Sequence, residues 1–397
     1  MPLVRGDGTA GAIVLLFPEG REGFVMKKTW RRKAALAGIL LLLPLLSGCI
    51  SNYKDIDRRM FVTAIGIDPG SGGKKFRVSL KLALPQGDPT KAQERVAVLS
   101  QEADSLSETL RLLKSRVEKE LDYAHCKALI IGEEQARKDI LHIMDWVVRR
   151  RDMQLILNVA VGSPTAEQVL KLKPSTEQIP SNSLILSLSR QGTESPFITS
   201  VFSYRLYRNL FEPGLDPVLT IIEARGKTGF IMDRMALFDK HRSRLTLNPD
   251  EARLFNLLER KNVQTNLPAR YDGKLYEYYI ETSKASYRLS TGDVGRPRLT
   301  YKVSIAGILE ESSGEETMTQ HLLERLARES EEKLEKQFEE LLRKFRDSES
   351  DPLGWGLHYG ARRFDNRNEM KDWKERLPDL EIKVKVKVQI KYSGMIR

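Results

Sequence analysis

Apolar positions set the first elements. Phe61 to Asp68 and Phe76 to Leu84 are two apolar, β-rich stretches separated by Pro69-Gly70-Ser71-Gly72-Gly73, which predicts a β-hairpin with a long turn. From Ser105 the spacing becomes helical, with Leu106, Leu110, Leu113, Val117 and Leu121 on one stripe, and a strand is expected over Ala128 to Ile131. A second helix is expected from Glu133 to Arg149. A buried strand follows over Leu155 to Val161, and Ser163-Pro164 supplies an N-cap and an N1 proline for a short helix through Leu172. Helices and strands alternate, so this part reads as mixed α/β. Lys173 to Pro217 is rich in Pro, Ser, Thr, Gln and Asn, and reads as an irregular extension or interdomain connection.

Beyond Gly226 the pattern changes. Gly229 to Met235 and Met235 to Phe238 are expected to form a hairpin, and Asn248-Pro249 to cap a helix over Asp250 to Arg260. Strands are expected over Tyr276 to Ile280, Lys284 to Leu289 and Leu299 to Leu309. Thr317 to Arg346 reads as a long charged helix with the stripe Leu322, Leu323, Leu326, Leu334, Phe338, Leu341, Leu342 and Phe345. Ser330 interrupts that stripe, which argues against a coiled coil and for docking on the protein's own sheet. The chain closes with strict alternation from Glu381 to Lys391, Ile and Val on one face and Lys mostly on the other. Such lysines guard an edge strand against self-association; a membrane-facing role is the alternative. The expected fold class is multidomain α+β: an N-terminal α/β domain, then a C-terminal α+β domain with a long amphipathic helix and a final edge-like strand.

One apolar run has another purpose. Met26 to Cys49 joins a cationic stretch (Lys27, Lys28, Arg31, Arg32, Lys33), an apolar stretch from Ala34 to Leu46, and small residues before a cysteine. The apolar stretch is well short of the roughly 20 residues that a membrane-crossing helix needs, so it reads as a cleaved secretion signal. Leu46-Ser47-Gly48-Cys49 looks like a bacterial lipobox, in which the cysteine receives a diacylglycerol thioether and becomes the mature N-terminus. An ordinary signal with a coincidental cysteine is the alternative. Residues 1–25 match no signal layout, so the start is expected at Met26, with a long n-region as the other option. The expected organisation is a mis-assigned extension over 1–25, a lipoprotein signal over 26–48, one domain over 49–225 with a break near 173–217, and another over 226–397.

Charge and cysteine content narrow the class. The chain carries 65 Lys and Arg against 54 Asp and Glu, a net +11, of which seven cations and three anions precede Cys49. The excess is spread along the chain, which suits an anionic membrane surface or cell-wall polymer and is too diffuse to argue for nucleic acid. With Cys49 acylated, Cys126 is left without an intramolecular partner and the fold is not disulfide-built. His125-Cys126 invites a thiol nucleophile or metal ligand, but it leads into Ala128-Leu129-Ile130-Ile131, where a small buried thiol is the ordinary occupant.

Motifs for catalysis or cofactor binding do not occur: there is no HExxH, CxxC, GxSxG, GxxxxGK[ST] or strand-linked GxGxxG. His125, His142, His241, His321 and His358 are scattered, with no i, i+4 pair. The expectation is therefore a protein that is not an enzyme and takes no cofactor or metal. Asp351-Pro352-Leu353-Gly354-Trp355-Gly356-Leu357-His358 reads as a helix stop and tight turn with Trp355 packed over it, or as an exposed aromatic for a partner.

Taken in order, several of these blocks resemble the Ger(x)C family, the lipoprotein C subunits of nutrient germinant receptors of spore-forming bacteria. Phe61-Val62-Thr63-Ala64-Ile65-Gly66-Ile67-Asp68 looks like the family's first strand, and Tyr123 to Glu134 like its His-x-Lys-x-x-x-x-Gly-Glu block. Arg150-Arg151-Asp152 resembles its Arg-Asp signature, and Asp351 to Gly356 its Asp-x-x-Gly-x-Gly turn. Trp373 and the closing strand, ending at Gly394, fall in the matching places. The stretch after Cys49, Ile50-Ser51-Asn52-Tyr53-Lys54-Asp55-Ile56, departs from the family by lacking a tryptophan. The resemblance implies a lipoprotein anchored through Cys49 to the outer face of the spore inner membrane, assembled with two integral membrane subunits of A and B type. It implies a part in nutrient-triggered germination, without catalysis. The rival reading is a solute-binding lipoprotein of a transporter, which predicts two similar lobes around a ligand cleft.

Overall fold

The structure is a computed structural model that describes residues 33, 36–38, 56–84, 95–174, 180–189, 195–226, 228–291, 296–313, 318–362 and 368–391. Cys49 and nearly all of the signal segment lie outside the described residues.

The body that begins at Ile56 contains two sheets. In the first, β1 (Arg59–Pro69), β5 (Ala128–Gly132), β6 (Asn158–Ser163) and β7 (Val218–Arg225) run parallel as neighbours. Antiparallel strands extend both sides: β2 (Phe76–Leu84) and β3 (Arg95–Ala103) next to β1, β8 (Gly229–Phe238) and β9 (Ser243–Leu247) next to β7. Short β4 (Glu120–Asp122) runs parallel to the start of β1.

Helices cover both faces of this sheet. One face, with Val62, Ile65, Ile67, Leu129, Ile131, Val159 and Val161, packs on α1 (Leu106–Lys114), α3 (Leu141–Arg149) and α6 (Ser203–Phe211). The other, with Ala64, Ala128, Ile130 and Ala160, packs on α4 (Ala166–Lys171) and α5 (Pro180–Leu188). A bulge between Val62 and Ala64 shifts the inward set of β1 from even to odd positions, so Ala64 faces one core and Ile65 the other. Strands buried on both faces read as continuous apolar runs, as β5 does.

The second sheet has the order β10 (Asn266–Tyr271), β11 (Lys274–Ser290), β12 (Arg298–Ser312) and β13 (Glu381–Lys391). β13 is an edge and runs parallel to β12. α7 (Pro249–Glu259) and α8 (Gln320–Asp347) cover its inner face, and every stripe residue named for the long helix is buried there. Ser330 is buried in the same stripe, as a small polar residue facing Tyr278. Short α9 (Trp355–Gly360) and α10 (Glu369–Arg376) complete the core with Trp355 and Trp373.

Several elements differ from expectation for local reasons. The helix expected over 133–149 is two helices, α2 (Glu133–Lys138) and α3, because Asp139 is extended and its carboxylate accepts the Leu141 N–H at 2.9 Å. α1 stops at Lys114, and Leu121 belongs to β4. Strand β6 starts at Asn158, leaving Leu155 and Ile156 exposed. The N-cap of α4 is Thr165, whose hydroxyl accepts the Gln168 N–H, while Ser163 ends β6. The stretch 173–217 holds α5 and α6. β8 is one strand whose hairpin partners are β7 and β9, and β11 is one strand of 17 residues. Residue 226 lies in the turn between β7 and β8, strands of one sheet.

Candidate functional site

The family-like blocks gather at three places. The first is the edge where the parallel strands begin. The Arg150 guanidinium lies over the Tyr123 ring at 4.6 Å and near Trp146 at 5.2 Å, and its Nε donates to Asp152 at 2.9 Å. His125 packs edge-on against Phe61 at 4.9 Å, exposed to solvent. Cys126 is fully buried with Sγ 3.5 Å from the Ala128 carbonyl, and burial pushes its thiol up to about 12. A thiol held protonated and shielded has no nucleophilic use, so Cys126 serves packing.

The second place is the opposite edge, at the ends of β1 and β5. Asp68 accepts the backbone N–H groups of Ala166 (2.8 Å) and Glu167 (2.9 Å), the first turn of α4. Burial raises the Asp68 pKa and these two bonds oppose it. A Cβ on Gly132 would lie 1.9 Å from Asp68 Oδ1, so the Gly of the Gly-Glu block is required by the Asp of the first-strand block. Glu133 accepts the Ser163 hydroxyl at 2.7 Å, and Arg77 bridges Glu102 and Glu167. These charged residues pin α4 to the sheet.

The third is the turn after α8. Gly354 has φ +74°, a left-handed position where a side chain is strained. Asp351 accepts the N–H groups of Trp355 (2.8 Å) and Gly356 (2.5 Å), and the Trp355 indole donates to Tyr301 at 2.9 Å. Trp355 is fully buried, which removes it as an exposed partner contact. The turn is tied to the loop before β7. Asp351 N–H donates to Asp216 at 2.7 Å, Asp216 N–H to the Asp351 carbonyl at 2.8 Å, and Leu357 N–H to the Gly214 carbonyl at 3.0 Å.

Lys240 finishes this tie. Its Nζ donates to the carbonyls of Asn209 (2.8 Å), Glu212 (2.7 Å) and Leu215 (2.6 Å), and lies 3.3 Å from Asp216. Burial lowers the Lys240 pKa and, on the other side, pushes Asp351 up to about 7 against the pull of its backbone donors. A cleft of about 440 Å³ opens beside them, with Phe211, Arg244, Met370, Trp373 and Lys374 in its walls. The lysine and both carboxylates are satisfied by protein groups, so the cluster is a fastening between the two sheets' layers. Asp216 and Lys240 carry no local signal in the sequence: Asp216 falls in the stretch read as an irregular extension or connection, and Lys240 just beyond the expected hairpin.

Among the described residues no group of three His, Cys, Asp or Glu could hold a metal ion. No helix among them is long and apolar enough to cross a membrane. The one predicted site residue, Cys49, lies outside the described residues.

The architecture defines the class: a parallel-centred α/β layer followed by a helix-backed four-stranded sheet is the fold of the solved GerBC protein. The two match with a TM-score of 0.53 at 17% identity, over 82% of this chain and 96% of that one. Residues 52–224 match the model for the spore germination protein N-terminal domain, and residues 233–394 the model for the spore germination B3/GerAC-like C-terminal domain. The chain belongs to the Ger(x)C family of spore germination proteins. Among curated relatives, spore germination protein KC of Bacillus subtilis (strain 168) is 23% identical over 92% of this chain and 97% of its own. The putative spore germination protein YfkR of the same organism is 23% identical over 90% and 96%.

Proposed function

We propose that this protein is the lipid-anchored C subunit of a spore nutrient germinant receptor, required for nutrient-triggered germination. The observation that carries the proposal is that both halves of the chain match the spore germination models, and the match runs over nearly the whole length of germination protein KC. In this reading Cys49 carries the diacylglyceryl group that holds the protein on the outer face of the spore inner membrane. Two integral membrane subunits, of A and B type, are its partners. The chain acts by binding and positioning, not by catalysis. The carboxylates and lysine of the Asp216, Lys240 and Asp351 cluster are occupied by backbone partners, which favours a structural role for them.

The transporter-type solute-binding reading calls for two similar α/β lobes. A nine-stranded layer and a four-stranded one are unlike, which favours the receptor reading.

The test is germination of spores whose only copy carries Cys49→Ala, beside spores with the intact gene and spores with the gene deleted. Loss of the nutrient response with an intact response to a non-nutrient trigger supports the proposal. A nutrient response that survives complete deletion, with no paralogue covering for it, overturns it.

A further inference from the structure

The first described residues of the body lie at the edge of the sheet where β1, β5 and β6 all start. Strand β1 begins five residues ahead of its pairing with β5, so Ile56 to Arg59 stand at that edge. The segments Asp122 to Lys127 and Arg150 to Leu157 precede β5 and β6, so the parallel pairing carries them to the same edge. Contacts join them into one surface. Arg59 pairs with Asp122 at 2.7 Å, Arg150 covers Tyr123, and Lys127 donates to Gln154 at 3.0 Å. Tyr204 N–H donates to the Leu155 carbonyl at 3.1 Å, which brings the start of α6 onto the same surface.

Large apolar side chains stand out of this edge. Ile56 is 72% exposed, Ile156 51%, Tyr204 49% and Leu155 39%. Exposed Arg58 and Arg151 flank them, with no ion pair to a carboxylate among the described residues. Apolar and aromatic tips flanked by two arginines, with Asp152 held by Arg150 and Asp57 the exposed anion beside them, suit the interface of an anionic bilayer, where the rings and aliphatic groups enter the headgroup boundary and the cations meet lipid phosphate.

The chain's own connectivity selects the lipid as occupant. Only six residues separate Cys49 from Ile56, so a lipid-linked Cys49 holds Ile56 within about 25 Å of the bilayer even with the tether fully drawn out. The apolar tips lie on the edge where that tether enters. We infer that the edge formed by Ile56, Leu155, Ile156 and Tyr204 with Arg58 and Arg151 rests on the anionic membrane surface. This inference rests on the anchor at Cys49 proposed above.

The experiment uses the full lipidated chain in vesicles of phosphatidylglycerol and phosphatidylcholine. A bimane label is placed at Ile156→Cys or, as a control on the opposite edge, at exposed Lys75→Cys, and quenching by brominated acyl chains is read. Buried Cys126 stays unlabelled. The expected result is quenching several-fold stronger at 156 than at 75, weakened by the R58E/R151E pair and by removing phosphatidylglycerol. Equal quenching at both positions, or none at 156, overturns the inference. An unquenched 156 label that becomes shielded from a water-soluble quencher only in spore membranes also overturns it, in favour of a protein contact. Flotation separates the two readings: a Cys49→Ala chain that floats as well as the intact one overturns the anchor, whereas a chain that floats only when lipidated, with 156 unquenched, overturns the surface alone. An intact chain that does not float overturns both.

Discussion

Glu335 of α8 accepts the backbone N–H of Val386 in edge strand β13, at 3.0 Å. The contact repeats at Glu331 with Val388 (2.9 Å) and Glu339 with Val384 (3.2 Å), so the helix runs antiparallel to the strand with one carboxylate per turn. Four helical residues rise about 6.0 Å and two strand residues about 6.6 Å, and this near match lets i, i+4, i+8 on the helix serve alternate residues on the strand. The N–H groups that would template another strand are thus occupied from within, while Lys383, Lys385 and Lys387 stand exposed on the outer face.

Replacing Glu331, Glu335 and Glu339 together with Ala is therefore expected to do two things. Stability falls, by about 1–3 kcal/mol per contact as an upper range for hydrogen bonds to charged groups, read as a lower urea midpoint. The uncovered edge then associates, seen as concentration-dependent dimers or larger species by light scattering. A triple Gln variant keeps an acceptor at each place and is expected to stay monodisperse. If the Ala variant scatters like the parent chain, the lysine row alone protects the edge.

Gly132 and Asp68 lie on adjacent strands, and no side chain fits between them. Gly132→Ala drives a methyl into the carboxylate that caps α4, with an expected loss of about 1–3 kcal/mol or more, as for overpacking elsewhere. Adding Asp68→Ala removes the clash along with the cap. The double variant is then expected to be less destabilised than the sum of the singles, and a denaturation cycle that comes out additive would count against the contact.

This pair shows where the sequence was legible. Period-2 and period-3.6 patterns located β1, β2, β5, α1, α7, α8 and β13, since each buries one clear face or lies wholly inside. Boundaries set by one side chain escaped: Asp139 splits 133–149, and Thr165, not Ser163, caps α4. The parallel pairing of β12 with β13, about 80 residues apart, has no local signal. Neither does the fastening at Asp351, whose partners Asp216 and Lys240 come from the other layer. The block at Asp351 could be picked out by its glycines, but what it binds is a matter of tertiary packing.

Lys240 is the part of that fastening with the most bonds to lose. Lys240→Met keeps the aliphatic stem and leaves the carbonyls of Asn209, Glu212 and Leu215 without their shared donor. Each uncapped buried acceptor costs about 1–3 kcal/mol where water cannot replace the donor, so the expected loss is a few kcal/mol. The amide protons of 209–216 and of the 351–357 turn are expected to exchange faster, while those of β5 and β6 are unchanged until global unfolding. Uniform acceleration across the chain would show instead that the fastening is not a local unit.

Asp351 gives the fold a pH dependence with a definite sign. Burial raises its folded-state pKa to about 7 from the ordinary 3.8, with Asp216 adding repulsion and the N–H groups of Trp355 and Gly356 opposing. The folded chain thus holds the proton where the unfolded chain has released it, so stability contributed by this group is full below about pH 4 and is lost as pH rises to about 7. Asp216, Lys240 and Tyr287 also face this carboxylate, but only a variant at Asp351 removes its own titration. Asp351→Asn is neutral throughout and gives up one of the two carboxylate acceptors. The stability difference, parent minus variant, is therefore expected to shrink by on the order of a few kcal/mol between pH 4 and pH 8, from urea unfolding at each pH. A difference that is flat across that range, or grows toward alkaline pH, means that the backbone donors outweigh burial and that Asp351 is ionised in the folded protein.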